Sequence, residues 1–217
     1  SVELIAHDLR NHFTNVLFSA DMLASRQSDP AGGKLVESIR SAADTGLLFL
    51  EAVLDQAAGE ARGEAVEPLP AGQLVQDAVD AFAERAQGKD MRLDLQLEPG
   101  LLVRGQRLAL GHVLQNLVSN AVKYAPSGSV VTVKAVAHGE RARFLVIDQG
   151  PGIPEAEQGE LFRRFAKLSS QPTGGESSTG LGLSLAKQKA RAMGGDLWYD
   201  PAPSGGACFT LEMPRVP

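Results

Sequence analysis

The chain has 217 residues and is 43% hydrophobic, enough apolar content for one substantial core or two smaller ones. Its formal net charge of -5, with no run of Lys and Arg, excludes a surface built mainly for phosphate backbones. A single cysteine, Cys208, excludes an internal disulfide and reads as a small apolar strand residue in a reducing compartment. Charges interrupt every long apolar run and no signal-peptide pattern opens the chain. The expectation is a cytoplasmic piece of a longer protein, with any membrane contact made through parts not included in it.

From Leu4 to about Gln27 the apolar residues Leu9, Phe13, Val16, Leu17, Ala20 and Leu23 recur at steps of three and four, predicting a helix with one buried stripe. Ser28-Asp29-Pro30-Ala31-Gly32-Gly33 breaks it. A second periodic stretch places Leu35, Ile39, Ala42, Ala43, Leu47, Leu50, Val53 and Leu54 on one face. Two helices cannot enclose a core, so this hairpin predicts a four-helix bundle made by dimerisation, hence a homodimer. Residues 56–70, rich in Ala, Gly, Glu and Pro, carry no periodicity and predict a linker. Domain boundaries fall at 1–57, 58–67 and 68–217.

Beyond the linker the pattern predicts a helix at 71–87, a strand with Leu93, Leu95 and Leu97 alternating, and a helix at 106–124. Strands at 129–137 and 142–148, a helix at 180–193 and a closing strand pair at 196–200 and 206–212 follow. The fold class is α+β: the N-terminal helical hairpin, then an α/β sandwich with helices over a mixed sheet.

In the 106–124 helix, Leu110, Val113, Leu114, Leu117, Val118 and Ala121 form the apolar stripe, while Asn116, Asn120, Lys123 and Tyr124 share another face. An amide oxygen can ligate Mg²⁺, an ammonium can meet a phosphate, and a ring can cover a base. For the asparagines alone a solvated polar face is the simpler explanation. The next strand runs into Asp148-Gln149-Gly150-Pro151-Gly152-Ile153, a carboxylate able to accept an exocyclic amine beside glycines that let backbone approach a flat ligand. By itself this is a common turn. Ser178-Thr179-Gly180-Leu181-Gly182-Leu183 then opens a helix after a Gly/Ser-rich stretch, offering backbone N–H groups to an anion. Neither a Walker loop nor a full dinucleotide G-x-G-x-x-G fingerprint is present.

Those three elements in this order, with Phe162-Arg163-Arg164-Phe165 between the second and third, resemble the N, G1, F and G2 boxes of the histidine-kinase ATP-binding domain, a fold shared with gyrase and Hsp90. The resemblance covers roughly 68–214. It implies that Asn120 ligates Mg²⁺, that Asn116 makes a second polar contact, and that Lys123 and Tyr124 line the phosphates and nucleoside of ATP. It further implies that Asp148 reads adenine, that Gly150 and Gly152 shape its pocket, that Gly180 and Gly182 wrap the triphosphate, and that 154–178 is the ATP lid. Ile153, Phe165, Thr179, Leu181 and Leu183 are placed by it in the same site. Hydrolysing relatives carry a Glu four residues before the metal-binding Asn, where this chain has Asn116, so transfer to an acceptor other than water is implied.

His7-Asp8-Leu9-Arg10-Asn11 resembles the phosphoacceptor box of the same family. A lone His is usually structural, and the reading of His7 as acceptor draws on the ATP motifs downstream. A neutral imidazole is a nucleophile near neutral pH, and Asp8 can hold its other nitrogen. The resemblance implies a sensor histidine kinase that phosphorylates His7 and passes the phosphoryl group to an Asp of a response-regulator receiver domain, with Asn11 orienting water for dephosphorylation of that partner. Three positions depart from the family pattern: His12 in place of the usual Pro, Ser178 in place of a Gly, and Gln106 in place of an Asp. The alternative is a degenerate, non-catalytic phosphotransfer or regulatory dimer; the retained Asn120, Asp148 and glycines argue against it.

Overall fold

The computed structural model of the protein describes residues 2–24, positions 32, 33, 36, 39, 42, 43, 46 and 50, and residues 65–164, 166, 168–170, 172, 173, 180–203 and 205–216. For residues 2–8 and 10 it describes the backbone alone. The chain divides into two compact units, residues 1–63 with 177–181 and residues 64–176 with 182–217.

In the first unit α1 runs from Val2 to Ala24. The described positions between 32 and 50 are also helical. Phe13 and Leu17 are half-buried and Ala20 is buried, as are Val36, Ala43 and Leu50 of the second segment. A Cβ at Gly46 would overlap the Phe13 ring, so the glycine lets the two helices close at that level. The buried stripe is narrower than the periodicity predicts. Leu9, Val16 and Leu23 are 41%, 42% and 53% exposed, and Ile39 and Ala42 are exposed while Val36, outside the predicted stripe, is buried. Both Leu9-Val16-Leu23 and Val36-Ala43-Leu50 recur every seventh residue, the spacing of a seam rather than of a broad face.

The second unit is a seven-stranded sheet under helices. Its strands are β1 (Glu67–Pro70), β2 (Arg92–Leu97), β3 (Leu102–Gly105), β4 (Val130–His138), β5 (Arg141–Ile147), β6 (Asp196–Pro201) and β7 (Ala207–Val216). They lie in the order β1-β3-β7-β5-β4-β2, with β6 beside β7. Only β2 and β4 among these pair in parallel. Register pairs Leu93 with Val131, Ala135 with Phe144, and Phe144 with Leu211, so every second side chain of neighbouring strands enters one core. Arg143 and Glu212 form a 2.8 Å ion pair on the opposite face, beside Trp198.

The helices are α2 (Ala71–Asp80), α3 (Ala83–Gly88), α4 (Arg107–Tyr124), the short α5 (Glu155–Gln158) and α6 (Gly182–Ala192). α4 packs against both α2 and α6, and all six residues of its predicted stripe are buried. The single helix expected at 71–87 is two, because Phe82 leaves helical geometry at φ -120° and ψ 6° and packs on the core. Strand β1 falls within the segment read as a linker. Its Pro68 and Pro70 hide any alternation, yet they are tolerated because β1 is an edge strand paired only with β3. Residues 56–64 of that segment lie outside the described residues.

Candidate functional site

The last two turns of α4 carry the polar face predicted from its sequence. Leu117, Val118, Ala121 and Val122 anchor those turns in the core, which fixes Asn116 and Asn120 side by side on the opposite surface. The Asn120 amide donates from Nδ2 to Asn116 Oδ1 at 3.3 Å, and both residues are half-buried. Gly182, the first residue of α6, lies directly on this pair, since a Cβ there would run into the Asn116 amide. The absent side chain lets the start of α6 pack against the Asn116 amide.

Asp148 closes β5. It is 4% exposed, and its Oδ1 accepts two backbone N–H groups, from Gly150 at 2.8 Å and from Ala207 at 3.1 Å. Burial pushes this carboxyl above its usual pKa, and the two N–H groups offset part of that rise. A Cβ at Gly150 would sit 2.9 Å from Asp148 Oδ1 and 3.1 Å from the Tyr124 carbonyl, so the glycine brings this turn against the end of α4. Gly152 has φ 68° and faces the Gly205 carbonyl, which a Cβ would approach to 2.9 Å. The N–H of Ile153 donates to the Tyr199 hydroxyl at 3.1 Å, and the Tyr199 ring packs on Phe209.

Asn116, Asn120, Lys123, Tyr124, Asp148, Gly150, Gly152, Ile153, Gly182 and Leu183 all belong to the second unit, on the ends of α4, β5 and α6. Gly180, at φ 66°, and Leu181 are grouped with the first unit. Phe165 and Thr179 lie outside the described residues, as do the side chains of His7 and Asp8, whose backbone is part of α1. Asn11 is exposed on α1, one turn beyond His7. Phe162, the other aromatic of its motif, lies under the Lys187 ammonium at 4.4 Å from its ring centre.

Sequence reasoning missed Gly206, Ala207 and Tyr199. A Cβ on Gly206 would overlap the Asp148 carbonyl, and the neighbouring Ala207 N–H is the second donor to its carboxylate. The Gly205-Gly206 pair in the β6–β7 turn was the available signal.

Residues 105–217 match the family described as histidine kinase-, DNA gyrase B- and HSP90-like ATPase. The sensor protein TorS of Escherichia coli is 30% identical over 97% of this chain and 23% of its own length. The circadian input-output histidine kinase CikA of Synechococcus elongatus is 33% identical over 97% of this chain and 29% of its own. The chain thus spans about a quarter of the length of these relatives. Among solved structures, the mycobacterial sensor histidine kinase MprB superposes with a TM-score of 0.63 at 28% identity, covering 70% of this chain and 99% of that one. Full-length ShkA in complex with AMPPNP, at 24% identity, shares the fold over 99% of this chain and 45% of its own, with a TM-score of 0.68.

Proposed function

Because the chain belongs to the histidine kinase-, DNA gyrase B- and HSP90-like ATPase family, we propose that it is the catalytic core of a two-component sensor histidine kinase. In this reading it binds Mg-ATP in the second unit, phosphorylates His7, and passes the phosphoryl group to an Asp of a response-regulator receiver domain. The observation that carries the reading is the Asn116–Asn120 amide pair with Gly182, the first residue of α6, packed so close that a Cβ there would overlap the Asn116 amide.

The residues fit Mg²⁺ held mainly by phosphate and water. Among the described residues no cluster of three His, Cys, Asp or Glu could hold a metal, while the Asn120 amide oxygen can supply one of the one or two protein ligands that Mg²⁺ usually takes. When bound, the ion neutralises charge on the phosphates. Asp148, whose Oδ1 accepts two N–H groups, reads the adenine amine with its other oxygen in this reading. Lys123 meets the phosphates, Tyr124 covers the nucleoside, and Gly180, Leu181 and Gly182 supply backbone to the triphosphate, with Ile153, Phe165, Thr179 and Leu183 completing the walls. The amide of Asn116 cannot take a proton from water, which disfavours hydrolysis. A ring nitrogen of neutral His7 forms the N–P bond to the γ-phosphorus as the bond to the β–γ bridging oxygen breaks and ADP leaves. Asp8 accepts a hydrogen bond from the N–H of the other ring nitrogen and supports the positive charge that develops on the ring. Asn11 orients water when the partner regulator is dephosphorylated.

Residues 1–57 serve as the dimerisation and phosphoacceptor domain, 58–67 as linker and 68–217 as the ATP-binding domain, acting in the cytoplasm. Homodimerisation is supported by the exposed seam of Leu9, Val16 and Leu23 and by a groove of about 400 Å³ that Val16, Ala20, Leu23 and Ile39 line together with His12. Sedimentation equilibrium is expected to give twice the chain mass; a single-chain mass throughout the micromolar range would overturn the dimer.

The proposal is tested by incubation with γ-labelled ATP. Acid-labile label is expected in the presence of Mg²⁺ and absent with excess EDTA or in Asn120→Ala; label that persists without Mg²⁺ contradicts it. Gly182→Ala forces the Asn116 amide to move. By displacing that amide it is expected to weaken Mg-ATP binding about fivefold, the scale of one lost hydrogen bond, and calorimetry measures this directly.

A further inference from the structure

One polar junction at the edge of the assigned site joins three segments distant in sequence. Lys89 follows α3, and its ammonium donates to the Val122 carbonyl at 2.6 Å, to the Lys123 carbonyl at 3.3 Å and to Thr173 Oγ1 at 2.6 Å. These carbonyls belong to the last turn of α4, where helical partners run out. The one for Val122 would be the N–H of residue 126, but that residue is Pro126 and has none. Lys89 supplies the missing donor and sets a positive charge at the negative end of the helix. Its own carbonyl accepts the Gly128 N–H at 2.9 Å, so the residue is bound to the α4–β4 turn by both backbone and side chain.

Thr173 completes the junction. Its N–H donates to the Lys123 carbonyl at 2.9 Å. Its hydroxyl lies 2.9 Å from the carbonyls of both Lys123 and Ala125, to which its single proton is directed, and accepts from Lys89. The same side chain therefore acts as donor and acceptor, which valine cannot do and serine can.

We propose that Lys89 is a positioning residue for the nucleotide site. Through Thr173 it fixes the last turn of α4, and with it Lys123 and Tyr124, against the chain that returns from the Asp148 turn. This inference rests on the reading of the second unit as an ATP site. It predicts that the junction is felt in nucleotide affinity and not in the chemical step.

The test uses the full chain with Lys89→Met, Thr173→Val and Thr173→Ser, measuring Mg-ATP-dependent phosphorylation. Lys89→Met and Thr173→Val are each expected to raise KM for Mg-ATP about five- to tenfold with kcat within about twofold, the scale of one lost hydrogen bond. The double variant is expected to be little worse than either single one, because both break the same junction. Thr173→Ser is expected to behave as wild type, which a mere packing role for the methyl group would not give. Unchanged KM in both disruptive variants, a fall in kcat at constant KM, or a Thr173→Ser variant as impaired as Thr173→Val each overturns the proposal while leaving the ATP site standing. A wild type with no saturable dependence on Mg-ATP overturns the site and the junction's role together.

Discussion

Asp148→Asn is expected to weaken ATP binding by about 3 kcal/mol, roughly a hundredfold, while leaving the fold intact. The N–H groups of Gly150 and Ala207 both point at the Oδ1 position, so the amide oxygen of an Asn must take that place. Its NH₂ then stands where Oδ2 stood and meets the adenine amine donor to donor. A site built to accept that amine would present a hydrogen instead, the kind of mismatch that discriminates most strongly. Thermal stability is expected to hold or rise, because a buried carboxylate carries a desolvation cost that an amide does not. The same group sets a pH dependence. With its folded pKa above the 3.8 of a free carboxyl, Asp148 gains its proton first in the folded chain as pH falls. Nucleotide affinity is therefore expected to drop through that window, while the penalty of burying its charge disappears and its contribution to fold stability grows. Calorimetric titration of Mg-ATP against pH checks this, and Asp148→Asn is expected to flatten the profile. Wild-type affinity in the variant would refute the role of Asp148 in reading adenine.

His7→Gln is expected to abolish acid-labile labelling, a fall of roughly three orders of magnitude or more, with ATP affinity unchanged. Glutamine keeps polarity and helix propensity but has no imidazole nitrogen to attack phosphorus. The pairing of effects matters more than either alone. Loss of label with retained binding assigns His7 to the acceptor side, whereas Asn120→Ala is expected to lose label by losing Mg-ATP. Loss of binding in His7→Gln would mean that the substitution damages the nucleotide unit and says nothing of an acceptor.

The parts of this account that were legible in the sequence are those written in local periodicity. The α4 stripe from Leu110 to Ala121 recurs at helical spacing and every member is buried; Leu93, Leu95 and Leu97 alternate and all pack on the core. What escaped has two causes. Strands β1 and β3 have four residues each, too few to show a period, and β1 is half proline. The break at Ala81–Phe82 follows from where the Phe82 ring packs, a tertiary demand that leaves no trace in helix propensity.

The site divides in the same way. Asn116, Asn120, Asp148 and the glycines could be picked out because their side chains, or the lack of one, are the chemistry. Ala207 could not, because it reaches Asp148 through an N–H that nearly any residue would offer, across 59 positions of sequence. The partnership of Lys89 with Thr173, 84 positions apart, was hidden for the same reason. Only the folded chain shows that Pro126 leaves a carbonyl for that lysine to meet. In α1 the stripe of Leu9, Val16 and Leu23 was legible as apolar, but its exposure within one chain was not, because helical spacing alone does not say which members of a stripe face a neighbouring segment.

The chain has four histidines, His7, His12, His112 and His138, and the central claim concerns one of them. Peptide mapping of the wild-type protein after incubation with Mg-ATP, under alkaline conditions that preserve phosphohistidine, tests it most directly. Phosphate is expected on His7 alone. Phosphate on His12, His112 or His138 with His7 unmodified would contradict the account.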